Sequence, residues 1–400
     1  MGLVAERGEL VLERGEGVWV WDEEGRRYLD AAAGLWYCHA GYGRGEIADA
    51  AAGQMRSLHA YSAYTDFAAR TTLDATDRIA ALSPLEDAVV FLTSGGAESI
   101  ESAAKLARRF FSLTGEPERT VLIGRERAYH GMGAFGTSLA GNDIFREGIQ
   151  APVPDVVHVP WDSAAGLRAA IESIGAERVA AFICEPIVGA GGVLAPPAGY
   201  LEDARAACRE AGCLFVADEV ITGFGRAGDW FASGRFDLDP DLITFAKGST
   251  SGYLPLGGVI ASRRVSEPFW QGGVIFRQGY TYSGHASVAA ACLANLDVLE
   301  REGLPARALA LESELAEALS PLASHPLVSE VRAGTGLMAA VQLGDPTLVE
   351  AAVAAAREHG VLTRTLLGGA LQVSPALVIT REELDELAAG LAAALDSVPA

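Results

Sequence analysis

Apolar residues in this chain fall in short runs separated by amphipathic stretches, and that alternation predicts strands laid between helices. Residues 88–92, 120–123, 179–184, 214–217 and 242–245 are brief apolar runs, the mark of strands buried on both faces. Residues 99–110 and 201–211 fall among them with helical character. Strands that alternate with helices build a mostly parallel sheet covered by helices on both sides, the α/β class. Ahead of them, Val18-Trp19-Val20-Trp21 and Arg26-Arg27-Tyr28-Leu29 flank an acidic turn ending in Gly25 and predict a hairpin. From about Ala286 the pattern changes to an Ala-rich helix reaching Glu302, then helix, short strands and helix, which predicts a smaller C-terminal domain.

Composition narrows what such a fold can do. The chain has 400 residues, half of them apolar, enough for one large core and a smaller companion. Acidic residues outnumber basic ones by 52 to 31, a net charge of -21 that repels a phosphate backbone, so nucleic acid is not expected as a partner. No apolar run reaches the roughly 18 residues of a membrane span, and Met1 to Leu12 carries charges where a signal peptide needs apolar residues. The expectation is a cytoplasmic protein. Cys38, Cys184, Cys208, Cys213 and Cys292 are odd in number and mostly set among apolar neighbours, which suits reduced thiols. No metal site is expected, since Cys208 and Cys213 lack a nearby His or second Cys pair.

In doubly wound sheets, ligands sit beyond the carboxyl ends of the strands. Thr93-Ser94-Gly95-Gly96-Ala97-Glu98 leads from a strand into a helix, where free N–H groups and the helix dipole suit an anion. A plain strand-to-helix turn reads the same way. Asp218 and Glu219 end one strand and Lys247 follows the next, so an acid and a lysine 247 − 218 = 29 residues apart can meet in one crevice. A structural salt bridge would use the same pair. Gly223-Phe224-Gly225-Arg226-Ala227-Gly228 fits the G-x-G-x-x-G of dinucleotide loops, but its glycines start past the strand end and no clear helix follows. Serine hydrolase, zincin and Walker motifs are absent.

Taken together, the motifs resemble the class III (ω-type) aminotransferases, pyridoxal 5′-phosphate (PLP) enzymes of fold type I. The likeness runs over nearly the whole chain. Gly34-Leu35-Trp36, Gly41-Tyr42-Gly43-Arg44, the glycine turn, Tyr129-His130-Gly131, Glu185-Pro186, Asp218-Glu219-Val220, Lys247-Gly248 and Gly279 through His285 carry it. The resemblance implies an aspartate aminotransferase-like fold with a smaller domain drawn from both termini. Residues 1–50 would be the hairpin segment joining that small domain, 51–285 the large PLP-binding domain and 286–400 the C-terminal small domain.

The resemblance also assigns roles. Lys247 would carry the cofactor as a Schiff base and shuttle the proton. Asp218 would keep the pyridine nitrogen protonated so that the ring accepts electrons. Tyr129 and Val220 would cover the two ring faces, with His130 beside the tyrosine and Glu185 near the pyridine side. Backbone at Gly95, Gly96 and Ala97 would hold the phosphate, joined by Thr281 from a second subunit, which implies a homodimer with shared sites. Trp36 and Tyr129 would line the donor pocket, and Arg364 would bind a substrate carboxylate with its planar fork. A buried hairpin-loop tryptophan and a surface arginine are the plain alternatives for Trp36 and Arg364.

Two departures stand out: Gly95-Gly96-Ala97-Glu98-Ser99 replaces the family's S-G-S-E-A, removing hydroxyls from the phosphate loop, and Ala286 replaces the proline that usually follows the histidine. The implied reaction moves an amino group from a small-molecule amine or ω-amino acid to a keto acid such as pyruvate. Ornithine, 4-aminobutyrate and biotin-pathway aminotransferases, aminomutases and epimerases share the fold, and a non-catalytic PLP-binding protein is a further alternative.

Overall fold

The computed structural model describes residues 8–150 and 152–399. Of the charged stretch Met1 to Leu12, residues 1–7 lie outside the described residues. The chain opens with β1 (Leu12–Glu16), β2 (Trp19–Asp22) and β3 (Arg27–Asp30), all antiparallel. β2 and β3 form the expected hairpin, with Val20 opposite Tyr28; β1 adds a strand that its charged sequence did not announce. Helices α1 (Gly45–Leu58) and α2 (Arg70–Leu82) follow.

A seven-stranded sheet comes next, with helices between its strands. In chain order these are β4 (Val89–Thr93), α3 (Gly96–Leu113), β5 (Val121–Arg125), β6 (Val156–Val159), α4 (Ala164–Ile174), β7 (Val179–Cys184), α5 (Tyr200–Ala211), β8 (Leu214–Asp218), β9 (Leu242–Phe245) and β10 (Gly257–Ala261). The spatial order is β4-β10-β9-β8-β7-β5-β6, and β10 alone runs against its neighbours. Period-2 alternation sorts the side chains to two faces. Val121, Ile123, Phe182, Phe215, Ala217 and Ile243 join a core that includes Leu167 of α4 and Leu201, Ala204 and Cys208 of α5. Leu122, Ala181, Ile183, Val216 and Leu242 point the other way, onto Ile100, Ala103, Ala107 and Phe111 of α3. All five cysteines are buried and free.

The C-terminal part begins with α6 (Ala286–Arg301), which packs on α1 and α2, and α7 (Leu304–Leu319). Then come β11 (Val328–Arg332), β12 (Ala339–Leu343), α8 (Val349–Glu358), β13 (Val361–Leu362), β14 (Thr365–Leu366), β15 (Ala370–Val373) and α9 (Arg381–Ser397). β11, β12, β15 and β14 form an antiparallel sheet. β13 instead pairs parallel with β3, Val361 opposite Leu29, so segments from the two ends of the chain share one sheet. A Thr380–Glu383 capping box starts α9. Among the described residues, no helix is long and apolar enough to cross a membrane.

The run Gly223 to Gly228 is a turn rather than the start of a helix. Gly225 and Gly228 hold positive φ, and the fully buried Arg226 donates from Nη1 to the carbonyls of Leu337 and Pro375, 2.9 and 2.6 Å away. Its glycines serve the junction between the large sheet and the C-terminal part.

Candidate active site

Strand pairing brings the acid and the lysine together. Asp218 is the last residue of β8 and lies opposite Thr244 of β9; Lys247 follows three residues later, in a one-turn 3₁₀ segment with φ of 43°. Both line a cavity of about 900 Å³ at the carboxyl end of the sheet. Trp36, Gly96, Ala97, Tyr129, His130, Glu185, Val220 and Arg364 line the same cavity.

Gly95 and Thr281 do not line it. Gly95 packs its backbone against Gly257 at the neighbouring strand and turns its carbonyl to the N–H of Ser99, 3.0 Å away. Thr281 sits exposed on a separate segment, outside the cavity of its own chain.

The carboxylates have distinct environments. Burial would raise the Asp218 pKa, but His130 beside it, the Val220 N–H and the Thr244 hydroxyl bring it below the ordinary aspartate value. His130 Nδ1 is 2.6 Å from Oδ2, while Val220 N and Thr244 Oγ1 are 3.1 and 2.9 Å from Oδ1. Asp218 is therefore a fixed negative charge, and the contact assigns the His130 proton to Nδ1. His130 Nε2 is buried without a partner.

Glu185 accepts from Tyr129 N at 3.2 Å and Gly189 N at 2.8 Å, and burial raises its pKa. Glu219 faces away from the cavity: it receives Ser233 N at 2.8 Å, Ser233 Oγ at 2.6 Å and Thr222 Oγ1 at 3.1 Å. Burial pushes it up to about 7 against those donors, and its work is to fold the turn after β8.

Lys247 is partly buried, and the loss of solvation pulls its pKa down to about 8; Asp218 and Glu185 oppose the shift and Arg364 adds to it. A lowered pKa supplies the unprotonated amine that Schiff-base chemistry needs. The rate at which apoenzyme takes up PLP is therefore expected to rise with pH and level off above about 8. Stopped-flow absorbance across pH 6 to 10 checks this; a rise continuing toward the ordinary lysine value of 10.5 would contradict it.

The remaining walls fit a flat, anionic cofactor. α3 begins at Gly96, and the first N–H groups of a helix have no partner within it. A Cβ on Gly96 would fall 2.7 Å from Val220 Cγ1, so glycine is needed there for Val220 to reach the cavity. Tyr129 is held by Phe145, ring centroids 5.1 Å apart. The Ser99 hydroxyl turns inward to Phe245 O at 3.1 Å. The Arg364 side chain makes no hydrogen bond or ion pair among the described residues. Sequence reasoning missed Thr244, although one polar residue inside the run Leu242-Ile243-Thr244-Phe245 was a signal, and it missed Phe145, Ile221 and Leu367 on the wall.

A lysine and a carboxylate at adjacent strand ends, with a helix N-terminus on the same cavity, are the parts that a fold type I PLP site requires. Residues 4–395 match the family described as aminotransferase class-III. The chain belongs to the class III aminotransferases, which are PLP-dependent enzymes. It is 38% identical over 410 residues to a putrescine–pyruvate aminotransferase of Pseudomonas aeruginosa, covering 96% of this chain and 89% of that protein. Among solved structures, it is similar to an (S)-enantioselective ω-transaminase from Thermomicrobium roseum, with TM-score 0.96, 40% identity, and coverage of 100% and 95% of the two chains. A PLP-bound amine transaminase from an uncultivated Pseudomonas species gives TM-score 0.94, 33% identity, and coverage of 99% and 96%.

Proposed function

We propose that this enzyme moves an amino group from an amine or ω-amino acid to a keto acid such as pyruvate, in two half-reactions through one cavity. The observation that carries the reading is the unpartnered Arg364 on a cavity whose other walls include Leu35, Trp36, Phe145 and Ile221. Neutral amines and carboxylate-bearing partners must use the same space in turn. Apolar walls suit the former, and a free guanidinium with room to approach or withdraw suits the latter. The pyruvate-dependent relative and the ω-transaminase neighbours support this substrate class.

PLP supplies an electron sink that eases loss of the proton beside the amino nitrogen. Lys247 Nζ would hold the cofactor covalently between turnovers and carry the proton when released. Asp218, fixed by His130, Val220 and Thr244, would keep a proton on the pyridine nitrogen. Tyr129 and Val220 would cover the ring faces, Glu185 would brace the Tyr129 backbone, and Gly96 and Ala97 would receive the phosphate.

We further propose a cytoplasmic homodimer in which the partner subunit's Thr281 completes the phosphate contacts. Exposed Tyr61, Tyr64, Phe67 and Tyr282 support a subunit interface there, since aromatic surface of that extent marks association.

The test is the visible spectrum of the PLP-loaded protein during sequential addition of 1-phenylethylamine and pyruvate. A band near about 410 nm that bleaches with amine and returns with pyruvate is the expected result. A band indifferent to this amine, to β-alanine and to diamines would overturn the proposal.

A further inference from the structure

Two loops at the reactive end of the cavity hold backbone conformations that L residues rarely adopt. Ala33 and Trp36, in the turn that presents the indole, have φ of 46° and 67°, and Lys247 has 43°. Such conformations persist only where surrounding contacts over-determine them. Asp30 provides part of the support, accepting from the N–H groups of Ala32 and Gly34 at 2.9 and 2.6 Å. The lysine loop is anchored from its far side: Asn295 Nδ2 donates to Gly248 O and Ser249 O at 2.9 and 3.0 Å.

Between the two loops stands His39, fully buried and outside the cavity wall. Its Nε2 lies 3.1 Å from Trp36 O and its Nδ1 2.9 Å from Phe224 O. The ring presses on Gly248, next to Lys247, so closely that a Cβ there would fall 2.3 Å from Cε1 and Nδ1. Burial, with Arg226 and Lys247 nearby, drives its pKa down to about 3, so the ring is neutral and has one N–H to offer two carbonyls.

We propose that His39 is a positioning residue that seats the Trp36 turn on the Lys247 loop and so sets the gap between indole and amine available to the donor. It takes no part in proton transfer. The inference rests on Trp36 being a wall of the donor pocket.

His39→Phe keeps an aromatic ring against Gly248 and removes the one N–H shared between the two carbonyls. His39→Gln places an amide N–H near the Nε2 position, toward Trp36, whereas His39→Asn places one near Nδ1, toward Phe224. Holoenzymes are compared for kcat and KM with 1-phenylethylamine and with β-alanine, each against pyruvate. His39→Phe is expected to raise KM for the aromatic amine about tenfold, the weight of one lost buried hydrogen bond, while KM for β-alanine moves less than about twofold. His39→Gln is expected to recover more of the aromatic-amine KM than His39→Asn. An equal change for both donors, or none for either, overturns the proposal. If His39→Phe does not fold, identical donor ratios in the Gln and Asn variants overturn it as well. Failure of the parent enzyme to accept any donor would instead sink the transaminase reading, a different result from an active parent with unmoved ratios.

Discussion

The Lys247→Ala protein is expected to fold and to lose transamination by more than about 10⁴-fold, because both the nucleophile and the proton carrier disappear with one side chain. The Lys247 side chain makes no hydrogen bond among the described residues and already borders a cavity, so its removal opens no sealed void. The sign of the stability change follows from its pKa, about 8 in the fold against 10.5 ordinarily. A lysine held below its unfolded value costs stability at pH below the folded pKa, and the cost fades as pH rises from about 8 to 10.5. The apo variant should thus melt no lower than the apo parent at pH 7, with the two converging above pH 10. Single-turnover assays and melting curves across pH give the answer. Normal turnover would remove Lys247 from the site, and a collapse of melting temperature at pH 7 would show that it supports the fold.

How much of this was legible beforehand differs from element to element. Strands that are plain apolar runs, such as β7 and β9, stood at their true bounds, because burial on both faces leaves no polar alternation to confuse the reading. β10 escaped, since Gly257-Gly258 reads as a turn; the structure uses those glycines because a Cβ would strike the Gly95 backbone at 2.7 Å or the Phe245 ring at 2.5 Å. The Asp218–Lys247 pair was visible as two strand ends. Its second layer was not: the His130 contact to Asp218 spans 88 residues, and local sequence carries no signal for such a separation. His39 was invisible for the same reason, as both of its acceptors are backbone carbonyls, which any residue type can supply. At Gly95 a phosphate loop and a tight strand-to-helix turn share composition, so the sequence left both readings open there, and packing against β10 was not legible in it.

Asp218→Asn carries the second large expectation, a fall in kcat of about 10³-fold with the cofactor still bound. Asparagine preserves shape and can still accept from Val220 N and Thr244 Oγ1, but it has no charge with which to hold a proton on the pyridine nitrogen. The His130 contact is lost as well: with the amide oxygen kept by Val220 and Thr244, the NH2 takes the place of Oδ2 and faces the Nδ1–H, donor against donor. His130 then has its Nε2 already unpartnered and no acceptor at Nδ1, so some loss of thermal stability should accompany the loss of rate. These two effects have separate readouts. His130→Asn, with Asp218 intact, should lower melting temperature and cost far less in kcat, because the carboxylate keeps its charge and its bonds to Val220 and Thr244. Rapid-scan absorbance of both variants during the amine half-reaction, paired with their melting curves, separates the charge on Asp218 from its scaffolding. Equal kcat losses in the two variants would mean that His130, rather than the carboxylate, sets the electronic demand of the site.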